Sequence, residues 1–327
     1  MSTSLSPRRI AIVVGLLAVA IGGIAIGARS AGVNDPAEDT TTSSTNEVGT
    51  TTRPVADEPE APPGAAAPGA AFSDVTYCVT DGIDLQLDFF HAASGDVTPL
   101  VVFAHGGGYR RGTKNQVQRL PEFDDLIETG YSVASVDYRL APDHPFPAPI
   151  EDLKCAVRHL RANSADYGID PDRIAVMGFS AGAHLAMLTG VADTAAGFDV
   201  GQYPGVSSAV RAVVAADGPS DVTELRSSEP DVARDAFGDS LDLMTRASPL
   251  TYVDSDDPPM LIFHGELDRT VPVQHSKWMD EELTSAGVEH EVVIVPDGEH
   301  RWPSQREDTG AASYSRLIES FLQEHLG

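Results

Sequence analysis

The feature that most restricts this chain is the pentapeptide Gly178-Phe179-Ser180-Ala181-Gly182, set between the apolar run 174–177 and a second apolar run over 183–191. The first run has the length and composition of a short strand buried on both faces. The second reads as a helix. A chain that passes from strand to helix through so few residues must turn tightly, and the positions two before and two after the serine must then be small. Such a turn lifts the Ser180 hydroxyl above the end of the sheet and points the next backbone N–H at the same space. The helix N-terminus favours negative charge developing there. A serine in G-x-S-x-G needs this strand–turn–helix setting to be a nucleophile.

A second signal lies upstream. His105-Gly106-Gly107-Gly108 follows the apolar run 100–104 directly. Successive glycines let backbone N–H groups turn into a pocket unobstructed by side chains. We assign the N–H groups of Gly107 and Gly108, joined by that of Ala181, as oxyanion-hole donors. His105 is expected to brace this loop rather than to react.

A nucleophilic serine needs a base, and the base needs an acid to orient it, in the chain order Ser, acid, His. The run 260–263 is followed by His264-Gly265-Glu266-Leu267-Asp268, and the run 291–295 by Pro296-Asp297-Gly298-Glu299-His300. Asp268 and His300 thus fall past the carboxyl ends of strands, where open α/β sheets place their sites. Rivals are Glu266 for the acid and His264, His275 and His290 for the base. Asp254, Asp256 and Asp257 come before their strand rather than after it. Asp137 and Arg139 are expected to pair locally, and Glu151 and Asp152 to sit favourably in the first turn of a helix. No His or Cys cluster has metal spacing and no phosphate loop is present, so the expectation is no metal and no cofactor.

From residue 72 onward, strands are predicted at 74–79, 85–90, 100–104, 131–136, 174–177, 210–216, 260–263 and 291–295. Helices are predicted at 124–129, 150–163, 183–191, 276–285 and 313–325. This alternation implies an α/β fold, a mostly parallel central sheet with helices on both faces. The acid-rich stretch 218–259 breaks the rhythm. It carries two short helical segments, 231–237 and 241–245, and is expected to be a lid or pocket wall.

The folded part is preceded by two other kinds of sequence. Arg8 and Arg9 stand before an uncharged apolar run, 10–28, which Arg29 closes. This is the layout of a secretory signal, and the run is also long enough to be a single membrane anchor. Residues 1–29 are therefore a signal or an anchor, and either places the remainder outside the cytoplasm. Residues 30–71, rich in Thr, Ser, Pro and Ala, read as a disordered tether. The catalytic domain is assigned to 72–327. Cys78 and Cys155 are the only cysteines. In an exported chain they are either one disulfide or two buried thiols. A formal net charge of −27 disfavours nucleic acid and anionic lipid as partners.

The glycine loop 105–108, Val136-Asp137-Tyr138-Arg139-Leu140-Ala141-Pro142, residues 144–148 and the pentapeptide 178–182 together resemble the hormone-sensitive-lipase-like bacterial esterases. Ala247-Ser248-Pro249-Leu250, Asp257-Pro258-Pro259 and residues 264–272 are similar to the feruloyl- and acetyl-esterase-like carbohydrate esterases. The resemblance covers nearly all of 73–326. It implies the α/β-hydrolase fold, no cofactor, and hydrolysis of short acyl esters of small molecules, polysaccharides or lipids through Ser180, Asp268 and His300. The helical N-terminal cap of the first family has no counterpart here, because the residues between the tether and the glycine loop read as strands. This favours the carbohydrate-esterase-like branch. A peptidase of the same fold and an inactive binding module are the alternatives. The glycine loop speaks against the first and the complete Ser, Asp and His set against the second.

Overall fold

In the computed structural model of the protein, which describes residues 70–93, 97–120, 122–301 and 311–327, the apolar runs become eight strands. They are β1 (Phe72–Thr80), β2 (Ile83–Phe90), β3 (Thr98–Ala104), β4 (Ser132–Val136), β5 (Ile169–Phe179), β6 (Ala212–Ala216), β7 (Met260–Gly265) and β8 (His290–Val295). Among the described residues they form one sheet in the order β1-β2-β4-β3-β5-β6-β7-β8. β1 and β2 are an antiparallel hairpin, and β2 pairs antiparallel with β4. Every pairing from β4 through β3 to β8 is parallel. The helices are α1 (Glu122–Glu128), α2 (Ala148–Ala162), α3 (Ser164–Tyr167), α4 (Ala181–Val191), α5 (Leu225–Ser228), α6 (Pro230–Phe237), α7 (Leu241–Ala247), α8 (Gln274–Ala286) and α9 (Ala311–Leu326).

Strand β3 shows why the sheet is covered on both faces. Leu100 and Val102 face one core with Leu153 and Val157 of α2 and Leu185 of α4. Val101 and Phe103 face the other, with Leu126 of α1 and Ile318 and Leu322 of α9. Side chains alternate along a strand, so a run apolar at every position must be buried on both sides. Each such burial stabilises by about 1.5–3 kcal/mol, and Val102→Asp would leave an unpaired carboxylate in the core.

β5 is longer than the apolar run predicts. It begins at the buried Ile169, which is in register with Thr98, and passes through Asp170-Pro171-Asp172-Arg173 before Ile174. The pairing with β3 is irregular between Ile169 and Ile174, so the extension is anchored at its two ends and the residues between give no hydrophobic signal.

The segment 218–259 is a packed wall. Val232, Ala233, Ala236 and Phe237 of α6 and Met244 and Ala247 of α7 are buried in the same core as α2 and α4. Cys78 of β1 and Cys155 of α2 are joined in a disulfide with Cα atoms 6.5 Å apart. Asp137 and Arg139 do not pair with each other. The Arg139 side chain turns to Asp152, with Nη2 2.8 Å from Oδ1, and Asp137 Oδ1 accepts the Lys114 N–H at 2.6 Å. Arg139 and Asp152 are both buried, so each charge needs the other.

The apolar run 10–28 and nearly all of the tether lie outside the described residues. Among the described residues no helix is long and apolar enough to cross a membrane.

Candidate active site

Ser180 lies between β5 and α4 with φ 54° and ψ −118°. A non-glycine residue in this left-handed region is strained and persists only where its surroundings enforce it. They do so through contact. A Cβ on Gly178 would strike the carbonyl of Gly182, and one on Gly182 would strike those of Ala104 and His105. The Ser180 N–H donates to Ala216 O at the end of β6, 2.8 Å away, and the His184 N–H donates back to Ser180 O at 3.0 Å.

The structure brings the serine together with the two loops singled out from the sequence. His300 Nε2 is 2.9 Å from Ser180 Oγ, and His300 Nδ1 is 2.7 Å from Asp268 Oδ2. Asp268 Oδ1 accepts the N–H groups of Thr270 and Val271, each at 2.9 Å. Burial by itself raises the Asp268 pKa, but hydrogen bonds from His264 and His300 outweigh it and hold the carboxyl well below the usual carboxylate range. A carboxylate only accepts, so it selects the His300 tautomer with Nδ1–H, leaving the Nε2 lone pair to accept the Ser180 hydroxyl proton.

The rival residues are engaged with other partners, although His264 Nε2 also lies 3.4 Å from Asp268 Oδ2. His264 is fully buried, with Nδ1 2.6 Å from Ser276 Oγ and Nε2 2.8 Å from Val271 O. His290 opens β8, at the other end of the sheet, and Nε2 contacts Asp280 at 3.0 Å. His275 is buried at the start of α8 and burial lowers its pKa to about 4. Glu266 accepts the Asp297 N–H at 3.3 Å.

Gly107 and Gly108 have φ of 125° and 61°. A Cβ on Gly107 would run into the Arg111 carbonyl, so this backbone requires glycine. Ala181 is the first residue of α4, and its N–H therefore has no partner within the helix. These three residues, Ser180 and His300 line one cavity of about 390 Å³. Behind the loop, His105 stacks on Tyr138 with ring centroids 4.2 Å apart, and Tyr138 Oη donates to His105 O at 2.7 Å. Burial lowers the His105 pKa to about 4, only partly offset by its bond to Gly106 O. His105 is thus a neutral brace.

Several residues at the site were not singled out from the sequence. Pro219, Leu225 and Val232 of the 218–259 segment and Val271 give the cavity an apolar wall, while Arg110 and Glu229 add charge. Asp217, directly after β6, has its carboxylate between the loops that carry Asp268 and His300. The available signal was its place: an acid at the carboxyl end of a fully apolar strand in the sheet centre.

Comparison with known proteins identifies the family and the fold. The BD-FAE family matches residues 87–283, more than half of the chain. Esterase LipQ of Mycobacterium tuberculosis is 33% identical over 247 residues, 72% of this chain and 56% of LipQ. The chain therefore spans little more than half the length of that relative. The butyrate-bound thermophilic esterase Est2 of Thermogutta terrifontis superposes with a TM-score of 0.67 at 26% identity, over 79% of this chain and 94% of Est2. The acetyl ester-xyloside bifunctional hydrolase of Caldicellulosiruptor lactoaceticus also gives 0.67 at 26% identity, over 80% of this chain and 96% of that one. A matched family over the domain centre, and structural neighbours that cover about four fifths of the chain, lead to one assignment: the chain belongs to the BD-FAE family and has the α/β-hydrolase fold.

Proposed function

We propose that this chain is an exported serine carboxylesterase that hydrolyses short-chain, acetyl-type acyl esters. The observation that carries the reading is the pair of contacts at His300, 2.9 Å to Ser180 Oγ and 2.7 Å to Asp268, beside the glycine loop. Ser180 Oγ attacks the ester carbonyl carbon as His300 Nε2 takes its proton. Asp268 stabilises the imidazolium that forms. The N–H groups of Gly107, Gly108 and Ala181 receive the oxyanion, where preorganised donors act most strongly. The intermediate collapses, His300 protonates the leaving alcohol, and an acyl group remains on Ser180. Water, deprotonated by His300, then releases the acid and restores the enzyme.

Short acyl groups fit the closeness of the wall. Val232 of α6 stands 3.5 Å from where a side chain on Gly108 would begin. Est2 is a neighbour solved with butyrate and with propionate bound. Polysaccharide or lipid alcohols are the substrates an exterior enzyme would meet. Export is supported by the basic-then-apolar start and by the Cys78–Cys155 bond, which suits an oxidising compartment.

The test is a panel of p-nitrophenyl esters from acetate to palmitate, with acetylated xylan, feruloyl esters and peptides, plus labelling by a fluorophosphonate. We expect labelling of Ser180 and rates highest for acetate to butyrate. Preference for long chains would overturn the acyl assignment, and absence of labelling would overturn the mechanism. Fractionation of cells making the full chain, with N-terminal sequencing of the product, tests export.

A further inference from the structure

Three buried side chains beside the triad, Asp217, His264 and Asp268, hold potential ligand atoms within 4.8 Å of one another. Their hydrogen bonds assign them another task. Asp268 Oδ1 accepts two backbone N–H groups and Oδ2 faces His300. Both nitrogens of His264 are engaged. Asp217 is the informative member. Oδ1 accepts the Gly265 N–H at 2.8 Å and Oδ2 accepts the Arg301 N–H at 2.9 Å.

Those two amides belong to the two loops that deliver the acid and the base. Gly265 ends β7, and its carbonyl accepts the Asp268 N–H at 3.2 Å. Arg301 is the residue after His300. The residue before Asp217 completes the set, because Ala216 O accepts the Ser180 N–H at 2.8 Å. Two consecutive residues at the end of β6 thus hold the nucleophile turn, the acid loop and the base loop. Asp217 is 1% exposed, its own N–H donates to Phe263 O at 2.9 Å, and its φ is 53°. A buried carboxylate on a strained backbone, with each oxygen given to a different loop, is an expensive arrangement to hold for packing alone.

We propose that Asp217 is a positioning residue, which holds the His300 backbone and the Asp268 loop in register with Ser180. The imidazole is fixed at its ring by Asp268 and Ser180, and at its backbone by Asp217. This rests on the serine-esterase reading above.

The test is Asp217→Asn, which keeps the shape but has one acceptor oxygen, so one of the two amides loses its partner. At temperatures where circular dichroism shows it folded, kcat should fall about 10- to 100-fold, as expected of sub-ångström misplacement of reacting groups. KM should change by less than about two-fold, since binding contacts remain. The acidic limb of the kcat/KM profile and the far-downfield proton resonance of His300 Nδ1–H should both shift. In an Asp268→Asn background the same change should have little further effect, because both act on His300. Asp217→Glu, which retains a carboxylate, serves if the Asn variant does not fold, and should retain more activity than Asp217→Ala. Wild-type kcat, pH profile and resonance in folded Asp217→Asn overturn the proposal, as do losses fully additive with Asp268→Asn. If the wild type itself is not labelled at Ser180, it is the esterase reading that fails.

Discussion

Two cavities lie at opposite ends of the sheet. The larger, about 600 Å³, opens where β6 and β7 begin and is lined by Asp193, Asp254, Asp256, Asp257 and Glu324 as well as Lys154 and Arg211. The smaller, about 390 Å³, lies where the central strands end and is lined by Gly107, Gly108, Ser180 and His300. Size and charge mark the first, while strained backbone and converging hydrogen bonds mark the second. Ser180, Asp217, Gly107 and Gly108 all have positive φ near the smaller cavity. Ser180 and Asp217, the non-glycine residues among them, keep this strain only because neighbouring structure enforces it.

The comparison is broken most simply by removing the hydroxyl of Ser180, the proposed nucleophile. Ser180→Ala should lower kcat for p-nitrophenyl acetate by about 10⁵-fold or more, whereas Asp257→Asn in the larger cavity should leave kcat/KM within about two-fold. A comparable loss in both would mean that the cavities are not independent. Asp268→Asn should lower kcat by about 10³- to 10⁴-fold by letting His300 take the wrong tautomer. Gly107→Ala places a methyl group against the Arg111 carbonyl and should lower kcat by about 10²- to 10³-fold, with KM little altered.

The smallest effects concern stability, and here the two ends respond to pH with opposite sign. Burial lowers His105, His184 and His275 from 6.5 to about 4. The stability they contribute is present above 6.5 and is lost as pH falls toward 4, because only the unfolded chain takes up the protons. Burial first, then the backbone bond to Asp254 in opposition and the charges of Asp254, Asp256 and Asp193, bring Asp257 up from 3.8 to about 7. Its contribution is present below 3.8 and is lost as pH rises toward 7. Melting curves should therefore show Asp257→Asn gaining on the wild type as pH rises from 4 to 8, by about a degree or two. His184→Gln should flatten the fall of Tm on the acid side. A Tm difference for Asp257→Asn that does not change with pH would remove the acidic cavity from this account.

Much of the site was legible because its chemistry is local. Gly178 is needed by a contact within one turn, with the Gly182 carbonyl, and Gly107 by a contact with Arg111 four residues on, whereas Gly182 is needed by its approach to Ala104 and His105, where β3 meets the glycine loop. Asp268 and His300 were legible through order, each following a strand of the same sheet. Asp217 was not. It is one of 49 acidic residues, and what distinguishes it is contact with Gly265 and Arg301, 48 and 84 residues away. Arg139 misled for the same reason, since its partner Asp152 is 13 residues on rather than two before.

By itself the sequence determined the alternation of buried strands and helices, and with it the parallel sheet. It also determined the tight turn at Ser180, because steric exclusion acts between neighbouring residues and a run apolar at every position shows by itself that both strand faces are buried. Only the tertiary structure decided which acid holds the triad loops, which wall of 218–259 faces the serine, and where the Arg139 charge is neutralised. Those are pairings of polar groups across the fold, and a hydrogen bond depends on a few ångströms of position that no local pattern carries.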